Sequence, residues 1–140
     1  MKILRLKYKT IKSPTTGRIW LDRNIGASRV AESSTDKLAY GHYLTHKEAK
    51  AIAKLVKGFR LPTPEEFKAE QLEFNKLKMP MPGYRSRTDG AVYREGSRGR
   101  YWSGSVSGPD ARDLHFNSSA TNPDNTSNRA FGCSVRLIKN

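Results

Sequence analysis

A chain of 140 residues fits one domain, residues 1–140, with room for a modest core. No apolar run is long enough to cross a bilayer, and Met1-Lys2-Ile3-Leu4-Arg5 breaks with charge too early for a signal peptide, so the expectation is a cytoplasmically made protein without membrane insertion. Charge is lopsided: 26 Lys+Arg against 13 Asp+Glu give +13, with 14 basic and 4 acidic groups in residues 1–60 but 12 and 9 in residues 61–140.

An excess of that size implies an acidic partner: a protein surface, an anionic envelope or nucleic acid. In chain order, residues 2–12 alternate and predict a half-buried strand. Leu4, Leu6 and Tyr8 fall on one side, and Arg5, Lys7 and Lys9 form a row of cations on the other. Such a row protects an edge strand from aggregation, and it equally offers a line for docking. Ser13-Pro14-Thr15-Thr16-Gly17 is a turn by composition, and Arg18 to Ile25 reads as a second strand. Residues 26–39 read as a loop without assignable chemistry. Thr45 and Glu48 make a capping box that opens a first helix, with Ala49, Ile52, Ala53 and Val56 at helical spacing. Gly58 suits its end, where a positive φ is wanted. Thr63-Pro64-Glu65-Glu66 is a second capping box, predicting a helix from Pro64 to about Leu77 that buries Phe67, Phe74 and Leu77, with Leu72 off the spacing. Met79-Pro80-Met81-Pro82-Gly83 ends it.

Beyond Gly83 the texture is that of short strands. Ala91-Val92-Tyr93, Gly99 to Ser103, Asp113-Leu114-His115-Phe116 and Ser134 to Ile138 are separated by turns such as Thr88-Asp89-Gly90 and Ser107-Gly108-Pro109-Asp110. The stretch Asn117 to Asn128 is polar throughout and predicts a surface connection. Strands before and after two central helices make the class α+β.

Five motifs occur in a telling order: Thr16-Gly17-Arg18-Ile19-Trp20 with Asn24-Ile25, Tyr40-Gly41-His42-Tyr43, Gly58-Phe59-Arg60-Leu61-Pro62-Thr63 with Glu66-Phe67, Tyr101-Trp102-Ser103-Gly104-Ser105, and Gly132-Cys133-Ser134-Val135-Arg136. Together they resemble the Fibrobacter succinogenes major paralogous domain, from about residue 16 to the C-terminus. The resemblance implies a C-type-lectin-like fold, shared with formylglycine-generating and phage tropism-determinant proteins, with both termini in one sheet. The fold hosts many unrelated activities, so it implies architecture before function.

Several constellations bear on chemistry. His42-Tyr43-Leu44-Thr45-His46-Lys47-Glu48 resembles an iron-binding string of some ergothioneine-pathway enzymes, but Thr45 as a helix cap would part the two histidines and Glu48 is committed to the box. Formylglycine-generating relatives use paired cysteines, whereas this chain has Cys133 alone, in an apolar strand context that reads as an inert thiol. A single thiol also departs from secreted lectins of this fold, which carry disulfides. Asn122-Pro123-Asp124-Asn125 faintly resembles a calcium-lectin motif but is short of oxygen ligands. No metal and no cofactor are therefore expected. Tyr84-Arg85-Ser86-Arg87, Arg94, Arg98, Arg100, Tyr101 and Trp102 interleave arginine with aromatics, a pattern that serves either base stacking or a protein hot spot. Tyr101 and Trp102 sit in a core motif of the resemblance, which claims at least one of them for packing.

The reading that results is a non-enzymatic structural or binding module of a bacteriophage particle, located in the virion (alternatively the cytoplasm) and present in several copies or as a homo-oligomer. Its partner would be an acidic protein surface met by Arg5, Lys7, Lys9, Arg94, Arg98 and Arg100, with Asn117, Asn122, Asp124, Asn125 and Asn128 as a possible ligand loop. The alternatives are a nucleic-acid-binding protein, favoured by charge, and a formylglycine-generating type of enzyme.

Overall fold

Both helices begin where a threonine caps them. In the computed structural model, which describes residues 8–140, α1 spans His46–Leu55 and α2 spans Pro64–Ala69. Thr45 Oγ1 accepts from the Glu48 N–H at 3.3 Å, while Glu48 Oε1 accepts from the Thr45 N–H at 2.8 Å. Thr63 and Glu66 repeat the exchange at 3.1 and 2.9 Å. A cap of this kind stabilises a helix by about 1 kcal/mol. Arg60 braces the second box, its guanidinium forked on the Glu66 carboxylate at 2.7 and 2.8 Å. Between the helices Gly58 takes φ 83°, so the chain can reverse.

The second helix is shorter than its periodicity predicted, ending at Ala69 instead of near Leu77. Glu70 is the cause. Its backbone leaves helical geometry, and its buried carboxylate accepts from Ser13 Oγ at 2.6 Å, Thr16 Oγ1 at 2.8 Å and Trp20 Nε1 at 2.9 Å. A carboxylate so anchored pins the chain against the first turn. Residues 70–78 follow as turns that bury Phe74 and Leu77 and leave Leu72 88% exposed.

The strands are β1 (Thr10–Lys12), β2 (Ile19–Leu21), β3 (Phe59–Arg60), β4 (Tyr84–Arg85), β5 (Val92–Tyr93), β6 (Gly99–Ser107), β7 (Asp110–Phe116), β8 (Thr121–Asn128) and β9 (Ile138–Lys139). They form an antiparallel sheet in the order β1-β2-β9-β3, a hairpin β4-β5, and a meander β6-β7-β8. The first and last described strands thus share one sheet, as expected. The predicted strand over residues 2–12 is described only at its end, and Arg5 and Lys7 lie outside the described residues. The predicted strand Ser134 to Ile138 narrows to β9. Just before it, Gly132, Cys133 and Ser134 bridge in turn to Arg85, Leu44 and Tyr101, stitching three segments together.

Asn117 to Asn128, expected as a surface connection, is largely strand. A short turn follows Asn117 and β8 then pairs with β7 from Phe116↔Thr121 to Asp110↔Asn128. Its Thr, Asn and Ser side chains hid the strand because neither face carries an apolar pattern. Pro123 fits because the register shifts there: Asp113 faces Asn125 while His115 faces Asn122, leaving one surplus residue on β8.

Alternation along β6 and β7 divides the core. Trp102 and Ala111 join Ile25, Leu44, Ile52, Val135 and Leu137. Tyr101, Leu114 and Phe116 join Trp20, Phe67, Phe74 and Leu77. Arg136 is completely buried among them. It donates from Nε to Asn24 Oδ1 at 3.1 Å, from Nη1 to the Leu21 and Leu77 carbonyls, and from Nη2 to the Lys78 carbonyl at 2.7 Å. Burial lowers its pKa to about 10, which still leaves it charged at neutral pH.

Candidate functional site

The registers of the meander collect polar side chains on one face. Arg100 lies opposite His115, Trp102 opposite Asp113, His115 opposite Asn122, and Asp113 opposite Asn125. Ser127 and Asn125 both reach Asp113 Oδ1, at 3.1 and 3.0 Å. Arg98, the residue before β6, reaches the same face with Nη1 3.0 Å from His115 Nε2. Two groups of residues singled out in the sequence for different reasons, Arg98 with Arg100 and Asn122 with Asn125, therefore converge.

Arg100 was expected as a partner contact, but it is only 9% exposed. Asp113 is fully buried beside it, and a buried carboxylate requires a cation. Arg100 supplies one: Nε donates to Asp113 Oδ2 at 3.2 Å and Nη2 donates to Ser127 Oγ. Its guanidinium also lies 4.4 Å from the Tyr84 ring centre and 5.6 Å from that of Phe131. Arg100 thus holds the site together from within and has little surface for a partner.

His115 is half-buried. An arginine N–H can only donate, so Nε2 must accept and the ring proton must sit on Nδ1. Burial lowers the His115 pKa, and the Arg100 and Arg98 charges push it the same way. Arg98 has this imidazole as its only side-chain partner among the described residues. The β4-β5 hairpin extends the face with Tyr84 across from Tyr93, ring centres 6.0 Å apart, and with Phe131 edge-on to Tyr84 at 5.7 Å. Arg85, Arg87 and Arg94 are exposed on or beside this hairpin. None of them, nor Arg98, pairs with a carboxylate among the described residues.

Other singled-out residues lie elsewhere or have been spent. Lys9 is exposed at the start of the other sheet, and its own N–H donates to Asp22 Oδ1. Asn117 Oδ1 holds the turn by accepting from the Ser119 and Ala120 N–H groups, and Asn128 Oδ1 accepts from Ala130. Asp124 pairs with Arg112 at 3.5 Å. The ligand loop is thus a hydrogen-bonded strand with capped ends. Both Tyr101 and Trp102 are buried, with Tyr101 Oη donating to the Pro80 carbonyl and Trp102 Nε1 to that of Leu44, so neither can stack a base.

The histidine pair is split as the helix cap required. His46 is buried edge-on against Trp102, and its Nε2–H donates to the Ser103 carbonyl at 3.0 Å, whereas His42 is exposed. No group of three His, Cys, Asp or Glu able to hold a metal occurs among the described residues. Cys133 is fully buried, and desolvation pushes its thiol pKa well up, which keeps it un-ionised. A groove of about 550 Å³ between Phe74 and the Asn117–Thr121 turn has no ionisable side chain in its lining.

Sequence reasoning gave no site role to Asp113, Ser127 or His115. One signal for the first was present: in Asp113-Leu114-His115-Phe116 the period of two puts both titratable groups on one face. No family model, curated protein or solved structure matches the chain.

Proposed function

We propose that this domain is a non-enzymatic binding module of C-type-lectin-like design that docks on an acidic protein surface of a bacteriophage particle. The observation that carries the docking surface is the set Arg85, Arg87, Arg94 and Arg98, four cations without a carboxylate partner among the described residues, three of them on or beside the hairpin whose Tyr84 packs on the internally neutralised Arg100. Arginine beside tyrosine is the composition of a protein hot spot. A shared sheet for the first and last described strands supports the lectin-like assignment. The particle setting draws on the resemblance of the five motifs. Burial of Cys133 and of His46 favours binding over nucleophilic catalysis.

The test is retention of the protein in purified particles at matched ionic strength. R85E/R87E/R94E should abolish it, while K47E/K50E/K54E, the same charge change on exposed positions of α1, should leave it intact. Retention unaffected by the first variant sinks the reading. If that variant instead loses tight binding to duplex DNA, the nucleic-acid alternative takes its place.

A further inference from the structure

We propose that Arg98 and His115 form a receptor for one carboxylate, an Asp or Glu side chain of the partner surface, and that binding it draws a proton onto His115. This inference deepens the docking face proposed above and rests on it. Arg98 spends one N–H on His115, and its remaining donors have no partner among the described residues. A guanidinium fork with free donors fits the two oxygens of a carboxylate. His115 is the neutral acceptor that holds the fork in place until the anion arrives.

The charge balance favours a single anion. Arg100 is cancelled by Asp113, whose Oδ1 is occupied by Asn125 and Ser127 and whose Oδ2 is held by Arg100. The charges facing His115 are Arg98 and Arg100 from the β6 side and Asp113 on its own strand, while β8 contributes only the neutral Asn122. The uncompensated charge at the pair is therefore that of Arg98. Burial lowers the His115 pKa most, and a bound carboxylate offsets the arginine repulsion that lowers it further. The imidazole then takes a proton from solvent at Nε2, releases Arg98, and donates to one carboxylate oxygen while Arg98 donates to the other. Proton uptake therefore accompanies carboxylate binding at pH values between the free and bound His115 midpoints, and no covalent bond changes.

A phosphodiester has the same charge but a nucleic-acid strand also wants stacking platforms. The Arg100 guanidinium lies over both Tyr84 and Phe131, and Tyr93, 43% exposed, is the other ring described on this face.

The experiment follows the His115 imidazole by NMR from pH 5.0 to 7.5, with and without saturating tetra-aspartate peptide. With 3 histidines in the chain, assignment needs only the His115→Gln variant. The aspartate side chain, which ordinarily titrates near pH ~3.9, stays ionised across this range. The peptide should raise the His115 midpoint by about one pH unit, equivalent to about tenfold tighter binding to the protonated form. His115→Gln, which still offers Arg98 an acceptor, should bind with an affinity that no longer changes between pH 5.0 and 7.5. Arg98→Gln should lose about tenfold at both pH values, in line with one charge-assisted pair. An unmoved midpoint in the wild-type protein overturns the receptor, and so does an undiminished pH dependence in His115→Gln. Duplex DNA raising the midpoint as far as the peptide does would overturn the carboxylate assignment. Peptide binding that is lost in R85E/R87E/R94E while the His115 midpoint stays fixed would defeat this inference and leave the docking face standing.

Discussion

Arg136 and Arg98 mark two regions built from the same side chain with opposite consequences. Around Arg136 each guanidinium nitrogen has found an oxygen, three of them main-chain carbonyls, and solvent is excluded. Around Arg98 one contact is made to a neutral imidazole and the remaining donors stay open. A cation with a complete set of acceptors ties segments of chain together: Arg136 joins β2, Asn24 and the turn at residues 77–78. A cation with spare donors is available to something else. Position on the sheet does not make this separation: Arg100 lies on the proposed face, yet its Nε and Nη2 are spent inside on Asp113 and Ser127.

The comparison breaks first at Arg136. Arg136→Met should cost about 3 kcal/mol or more, because Asn24 Oδ1 and the carbonyls are left buried without a donor. A loss below 1 kcal/mol in urea unfolding would deny that this arginine organises the core. Glu70→Gln comes next, at about 2 kcal/mol, since a charged acceptor serving three donors becomes a neutral one. Trp20 fluorescence should report the change directly, and an unaltered emission spectrum and urea midpoint would contradict it.

Acidification should affect the interior region too. Burial lowers the His46 pKa in the folded protein below its unfolded value, so the unfolded chain binds the proton more readily. The stability contributed by neutral His46 is complete above about pH 6.5 and is lost as pH falls through the folded pKa. The urea midpoint should decline from pH 7.5 to 5.0, with a flatter profile in His46→Gln; a parallel decline in both proteins counts against this. The smallest effect belongs to Arg98→Gln, which should shift stability by less than about 0.5 kcal/mol despite the binding role proposed for it. A larger cost would move Arg98 into the structural class with Arg136.

Legibility in the sequence followed the range of the interaction. Both capping boxes could be read because Thr45 with Glu48, and Thr63 with Glu66, are local chemistry. Glu70 could not, because its partners Ser13, Thr16 and Trp20 lie about fifty positions or more away, and so the early helix end was missed. The arginine-aromatic stretch drew notice at the right place, but only packing could sort its members. Arg100, Tyr101 and Trp102 went inward, while Arg85, Arg87, Arg94 and Arg98 stayed available. β8 escaped because a strand solvated by polar groups has no hydrophobic period to betray it.

That strand has a further consequence for how copies of the protein coexist. Among the described strands β8 is an edge of the meander, and neither Pro123, which has no N–H, nor Asp124, whose N–H is taken by Asn122 Oδ1 at 3.1 Å, offers a free backbone donor there. A strand from a neighbouring molecule laid along this margin would find its hydrogen-bond ladder interrupted midway. Pairing of two copies through this edge is thereby disfavoured.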